Sequence, residues 1–147
     1  VLNQWGRTSD LTVVGMGQSQ LDDVAGEIAG RLGRVLNPDP EPEKGFYYRS
    51  DHFSFARAGI PAFYADPGVD YLDKPPGYGI AKREEYTAND YHAVSDEVKP
   101  DWDLSGALDD LTFMYHMGAR LAASDEWPEW SVTSEFRAIR EQQRPGR

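Results

Sequence analysis

Gly45-Phe46-Tyr47-Tyr48-Arg49-Ser50-Asp51-His52-Phe53-Ser54-Phe55-Ala56-Arg57-Ala58-Gly59-Ile60-Pro61-Ala62-Phe63-Tyr64-Ala65 holds two aromatic or apolar runs around a segment that can be capped as a helix. Gly45 to Tyr48 reads as a strand, because aromatic side chains suit a pleated, half-buried surface. Asp51 is placed to cap a short helix that runs through Ala58 and ends at Gly59. Ile60 to Ala65 then reads as a second, buried strand. Strand, helix, strand in succession implies an α/β layer.

Working outward, Leu11 to Met16 reads as a further buried strand, closed by Gly15 and Gly17. Ser19 is a candidate N-cap, Asp22 and Asp23 favour the positive end of a helix dipole, and Leu21, Val24, Ala25, Ile28 and Leu32 form one apolar stripe up to Gly33. Asn37 to Lys44 alternates proline with acid and reads as an exposed connector. Asp66 to Asn89, dense in glycine and proline over Lys74 to Gly79, reads as a long surface loop. Asp101 to Ala123 is predicted as a long helix with its buried face at Leu104, Ala107, Leu108, Leu111, Met114, Tyr115, Leu121 and Ala122. Trp127 and Trp130 suggest a docked aromatic segment, and Glu135 to Gln143 a polar final helix.

At 147 residues the chain is long enough for one domain, 1–147, that buries roughly 70% of its unfolded surface. A net charge of -10 and a sequence pI near 4.6, with no basic cluster, exclude nucleic acid as a natural partner. There is no cysteine, so a metal could be held only by His, Asp or Glu. No run approaches the ~20 apolar residues of a membrane span, and no signal segment opens the chain. The first residue is not methionine, and the natural N-terminus is expected to lie further upstream.

Three histidines are candidates for chemistry. His116 lies off the apolar stripe of the long helix and reads as a surface residue. His92 follows the long loop in Asn89-Asp90-Tyr91-His92 and precedes Ser95-Asp96, where a neighbouring carboxylate could orient the ring for a metal. Tyr91 beside it could donate to an oxyanion or simply pack. Arg49-Ser50-Asp51-His52 joins a predicted strand to a helix start, where open α/β sheets bind ligands. Arg49 there could hold a carboxylate, and Asp51 and His52 could shift each other's pKa, although capping by Ser50 or Asp51 would account for the same residues. Gly15-Met16-Gly17 fails as a dinucleotide fingerprint because Gln20 stands where the third glycine belongs. The pairs Asp22-Asp23, Glu84-Glu85 and Asp109-Asp110 diverge around a helix and read as solvated faces.

Tyr48 to Ala62 resembles the S-D-H-x-x-F-x-x-x-G-I-P-A signature of M28 peptidases, and Tyr91 to Val98 resembles the Tyr-His segment that ends their metal site. Trp5 to Gly15 is similar to the stretch that follows the family's metal-binding aspartate. The three occur in the family's order, and the similarity runs to about Phe136. The resemblance implies a three-layer α/β/α mixed sheet of the zinc-peptidase (phosphorylase/hydrolase-like) type, present here as its C-terminal part. It implies one or two zinc ions held by His, Asp and Glu, with a glutamate as general base on a metal-bound water. Of those ligands only His92 maps onto this chain. Tyr91 matches the oxyanion-steadying tyrosine, Arg49 a substrate-facing position, and Asp51, His52 and Asp96 the supporting shell.

The expected parent is therefore a zinc exopeptidase acting at a free N-terminus, and the chain alone is expected to be inactive. The alternatives are a metal-free receptor or interaction domain and a glutaminyl cyclase on the same scaffold. Expected partners are a peptide substrate, the missing N-terminal half of the domain, and a second copy through an exposed edge. Family resemblance favours a secreted, periplasmic or cell-envelope location.

Overall fold

The computed structural model describes residues 2–143; Val1 and positions 144–147 lie outside the described residues. A three-stranded mixed sheet stands at the centre, with β1 (Asp10–Val13) between β2 (Val35–Pro38) and β3 (Ala65–Pro67). β2 runs parallel to β1, with Leu11 opposite Leu36, and β3 runs antiparallel, with Leu11 opposite Pro67. Every residue of β1 is buried, Asp10 and Thr12 as well as Leu11 and Val13, as its place between two neighbours requires. The parallel β1–β2 pair is joined by α1 (Leu21–Arg31), the crossover such a pair requires.

α1 starts one residue later than expected, with Gln20 and not Ser19 at the N-cap position. The Ser19 hydroxyl accepts from the Leu21 amide at 3.3 Å, Asp22 and Asp23 sit in the first turn, and the helix ends before Gly33 in the left-handed region. Its buried side chains Ala25, Ile28 and Ala29 meet Leu11 and, from α5 (Ser105–Ala122), Phe113 and Met117 in the main core. A second cluster joins Ala56 of α3 (His52–Arg57) to Trp130 and Phe136, with Tyr47 and Phe53 packed against it. The Trp130 indole N–H donates to the Gly59 carbonyl, so this tryptophan is docked, whereas Trp127 is exposed. The polar final helix is α6 (Arg137–Gln143).

Four expectations need correction. Gly45 to Tyr48 is not a strand: a 3-10 turn over Pro42–Lys44 leads through left-handed Gly45 into the helical turn α2 (Phe46–Arg49). Tyr47 thereby stacks on Phe136, and this packing outweighs aromatic strand propensity. Ile60 to Tyr64 is not part of the strand, which starts only at Ala65; Ile60 is exposed, Pro61 lacks the amide a ladder needs, and the Tyr64 carbonyl accepts from the Val14 amide. The connector is shorter than expected, since Asn37 and Pro38 complete β2. The long loop contains a 12-residue helix, α4 (Tyr78–Asn89), which starts only after Gly77 has turned the chain at φ 83°.

The long helix is present but starts at Ser105, not Asp101, and its buried face is different. Gly106, Ala107, Phe113 and Met117 are buried, whereas Leu104, Leu108, Leu111, Met114 and Tyr115 are exposed. A buried Asp10 was also not anticipated. Its carboxylate accepts from the amides of Val69 and Asp70 and from Asn37, pinning the chain after β3 to the sheet.

Candidate functional site

Tyr91 and His92 follow directly on α4. The Tyr91 amide donates to the Tyr86 carbonyl at 2.9 Å, which closes the last turn and fixes where the pair emerges. His92 then adopts φ 60°, the left-handed region that side chains with a Cβ rarely occupy. The Ala93 amide donates to the Asp90 carbonyl and the Ser95 hydroxyl to the Asn89 carbonyl, so a tight turn holds the imidazole at the surface. The Tyr91 ring lies edge-on to the imidazole at 4.2 Å between centroids. Such strain persists only where surrounding contacts impose it, and it clusters at functional sites.

Neighbouring carboxylates have other partners. Asp96 accepts from the Tyr86 hydroxyl at 2.8 Å, and Asp90 is paired with Lys99 at 2.7 Å. Burial and the Asp96 carboxylate push the Tyr86 phenol up to about 12, so it stays a neutral donor. Asp96 thus supports the turn through Tyr86 and not through the imidazole it was expected to orient.

Behind Tyr91 lies an apolar hollow of about 50 Å³, walled by Trp5, Phe46, Tyr64, Val69 and Tyr86. It has room for a few waters. At its edge stands Arg83 of α4, which sequence reading did not single out. Its guanidinium faces Asp66 at 3.3 Å, Asp39 at 3.5 Å and Glu41 at 3.7 Å, all largely buried, and lies over the Phe46 ring. One cation among three acids ties α4 to the end of β2 and to β3, and so fixes the base from which Tyr91 and His92 project.

Arg49 reaches the same neighbourhood from α2. It is exposed, lies over the same Phe46 ring at 5.0 Å, and donates to the Lys44 carbonyl. Phe46 is therefore shared by Arg49, Arg83 and the hollow lined by Tyr91.

Asp51 occupies the N-cap position of α3, yet its side chain makes no capping hydrogen bond. His52 is set between the rings of Tyr47 at 4.6 Å and Tyr64 at 5.0 Å, and neither ring nitrogen has a hydrogen-bond partner. Burial, and not Asp51, lowers its pKa below the ordinary 6.5. The folded state therefore holds this imidazole neutral, while the unfolded chain takes up a proton near pH 6.5. Stability contributed by His52 is present above that pH and falls as pH drops from there toward the folded pKa. Urea midpoints at pH 7.5 and 5.0 should fall further for the wild type than for His52→Phe; equal falls would contradict the assignment.

Among the described residues no group of three or more His, Asp or Glu side chains is gathered to hold a metal ion of the kind the resemblance implies. An exposed His92, with Asp90 and Asp96 engaged elsewhere, offers one donor where a catalytic zinc takes about three. These residues do not by themselves fit a metal centre.

No helix among the described residues is long and apolar enough to cross a membrane. No curated protein and no solved structure gives a significant match to the chain. A family model does: the one for peptidase family M28 matches residues 2–116, which include the Ser50-Asp51-His52 and Tyr91-His92 segments and most of α5. With that match over more than half of its length, and with both signature segments inside it, the chain belongs to peptidase family M28.

Proposed function

We propose that this chain is the C-terminal part of the catalytic domain of a zinc-dependent exopeptidase that acts at a free N-terminus. The carrying observation is the Tyr91-His92 turn, where backbone strain is spent on holding one imidazole exposed beside one phenol. In this reading His92 is one metal ligand, and the Tyr91 hydroxyl is available as a donor to a carbonyl oxygen of the substrate. In the same reading Arg49, held over the Phe46 ring, contacts the substrate. His52 and Asp51 shape α3, and Asp96 steadies the turn through Tyr86.

The remaining metal donors and the general base come from other polypeptide of the same domain, and the chain alone is inactive. Export to the periplasm, cell envelope or medium is part of the same reading, on family resemblance. A non-catalytic receptor role is disfavoured because a strained, exposed His92 has no structural task to perform.

The test compares this chain with the gene's longer polypeptide, extended until it includes a His, an Asp, a Glu pair and a second Asp. Hydrolysis of aminoacyl-nitroanilides by the extended, zinc-loaded protein, lost in its His92→Gln form and absent from the short chain, is the expected result. Cyclisation of an N-terminal glutamine peptide without hydrolysis would instead identify a cyclase. Neither activity from a folded, metal-loaded protein would leave the interaction-domain reading.

A further inference from the structure

α5 is apolar on two sides. Its core side carries Ala107, Phe113 and Met117, and the other side carries Leu104, Leu108, Leu111 and Tyr115. At ~100° per residue the two sides lie roughly 140° apart, so the second cannot reach the core that the first has filled. The exposures are large: 65% for Leu108, 61% for Leu111 and 71% for Tyr115. Position 104 to 108 to 111 to 115 is a 4-3-4 spacing, the a/d seam of a coiled coil, which suits another helix more than an extended peptide.

We propose that this seam joins two copies of the chain through antiparallel α5 helices. A two-fold contact requires a self-complementary patch, and the seam is one. Antiparallel pairing about its middle sets Leu108 against Leu111 of the partner subunit and Leu104 against Tyr115 of the partner subunit. Leu2 and Met114 border the seam across a shared hollow and widen it. Together these side chains expose apolar surface on the order of 600 Å², at the upper end of what a monomer shows. A standard interface buries ~800 Å² per partner, so the seam is most of one.

Charge does not oppose the contact locally. The acids nearest the seam, Asp109 and Asp110, are turned away into ion pairs with Arg7 and Arg34, both at 2.7 Å. The chain's overall negative charge acts at longer range and is screened within ~8 Å at physiological salt. Sheet edges are a poorer route, because β2 and β3 end on Pro38 and Pro67, which have no amide to donate.

Sedimentation velocity on this chain, from about 1 to about 200 µM in ~0.15 M salt, should show a monomer passing into a dimer. Leu108→Asp combined with Leu111→Asp, both at exposed positions, should keep the native circular dichroism and weaken association by at least about 100-fold. Val132→Asp, at a position 82% exposed in the tail, should leave it unchanged. A monomer throughout the range would overturn the proposal, as would a dimer that survives the double variant, or a longer polypeptide of the same domain that stays monomeric over the same range because its own chain covers the seam. None of these results depends on peptidase activity.

Discussion

Arg34→Leu should lower the unfolding free energy by about 3–5 kcal/mol, the cost of leaving a buried charge and its acceptors without their cation. Arg34 lies between α1 and β2 with its side chain 6% exposed. One terminal nitrogen donates to Asp110 of α5 at 2.7 Å, and the other to the Thr8 hydroxyl at 2.8 Å and the Asp10 carbonyl at 2.6 Å. A single guanidinium thus joins the chain entering β1, the start of β2 and α5. Leucine fills much of the volume and satisfies none of these oxygens. Burial already pushes the Asp110 carboxyl up, and Arg34 pulls it down. Without the arginine, Asp110 should take up a proton, and the penalty should shrink toward acid pH. Urea denaturation at pH 7 measures the loss. Asp110→Leu added to Arg34→Leu should recover part of it, because a buried pair can often be exchanged for apolar groups. A single variant within 1 kcal/mol of wild type would refute this role.

Phe113→Ala should cost about 3–5 kcal/mol, from lost burial and from the cavity it leaves. Phe113 is fully buried against Leu11, Ile28 and Met117, and its ring meets that of Phe63 at 6.1 Å. The informative comparison is Leu111→Ala two residues away on the same helix. Leu111 is 61% exposed, so its truncation should change monomer stability by about 0.5 kcal/mol or less. Thermal or urea unfolding of both variants, at a concentration low enough to keep the protein monomeric, decides the matter. Equal losses would mean that the core face of α5 has been misplaced.

That pair also shows where sequence periodicity runs out. The apolar residues of α5 outline a helix, and a helix forms. Two stripes coexist on it, however, and periodicity cannot say which one meets the sheet. The choice was made by partners distant in sequence: Leu11 from β1, and Ala25 and Ile28 from α1. The same holds at α2. Phe46, Tyr47 and Tyr48 look like a strand to any local rule, yet Tyr47 finds Phe136 and His52 only if the segment turns. α4 was hidden by the glycines and prolines just before it, which delimit the helix and do not prevent it.

The candidate site was legible as residue types and not as connections. Tyr91-His92 and Arg49 stand out in the sequence, and the structure joins Arg49 and Tyr91 to one wall through Phe46. Arg83 was missed because nothing local marks it; its meaning lies in Asp39, Glu41 and Asp66, which arrive from other elements. The expected Asp51–His52 and Asp96–His92 relations did not form, since Asp96 binds Tyr86 and His52 sits between two tyrosine rings.

By itself the sequence determined the family, the mixed α/β character, the existence of β1, α1 and α5, and the absence of thiol chemistry. Those properties are written in contiguous residues, in their spacing along one helix or strand, or in composition. Only the tertiary structure decided which face of α5 is core, which acids are engaged by Arg34 and Arg83, and that His92 is held outward at φ 60°. Each of these is settled by groups far apart in the chain competing for the same burial or the same charge, and no local pattern records who wins that competition.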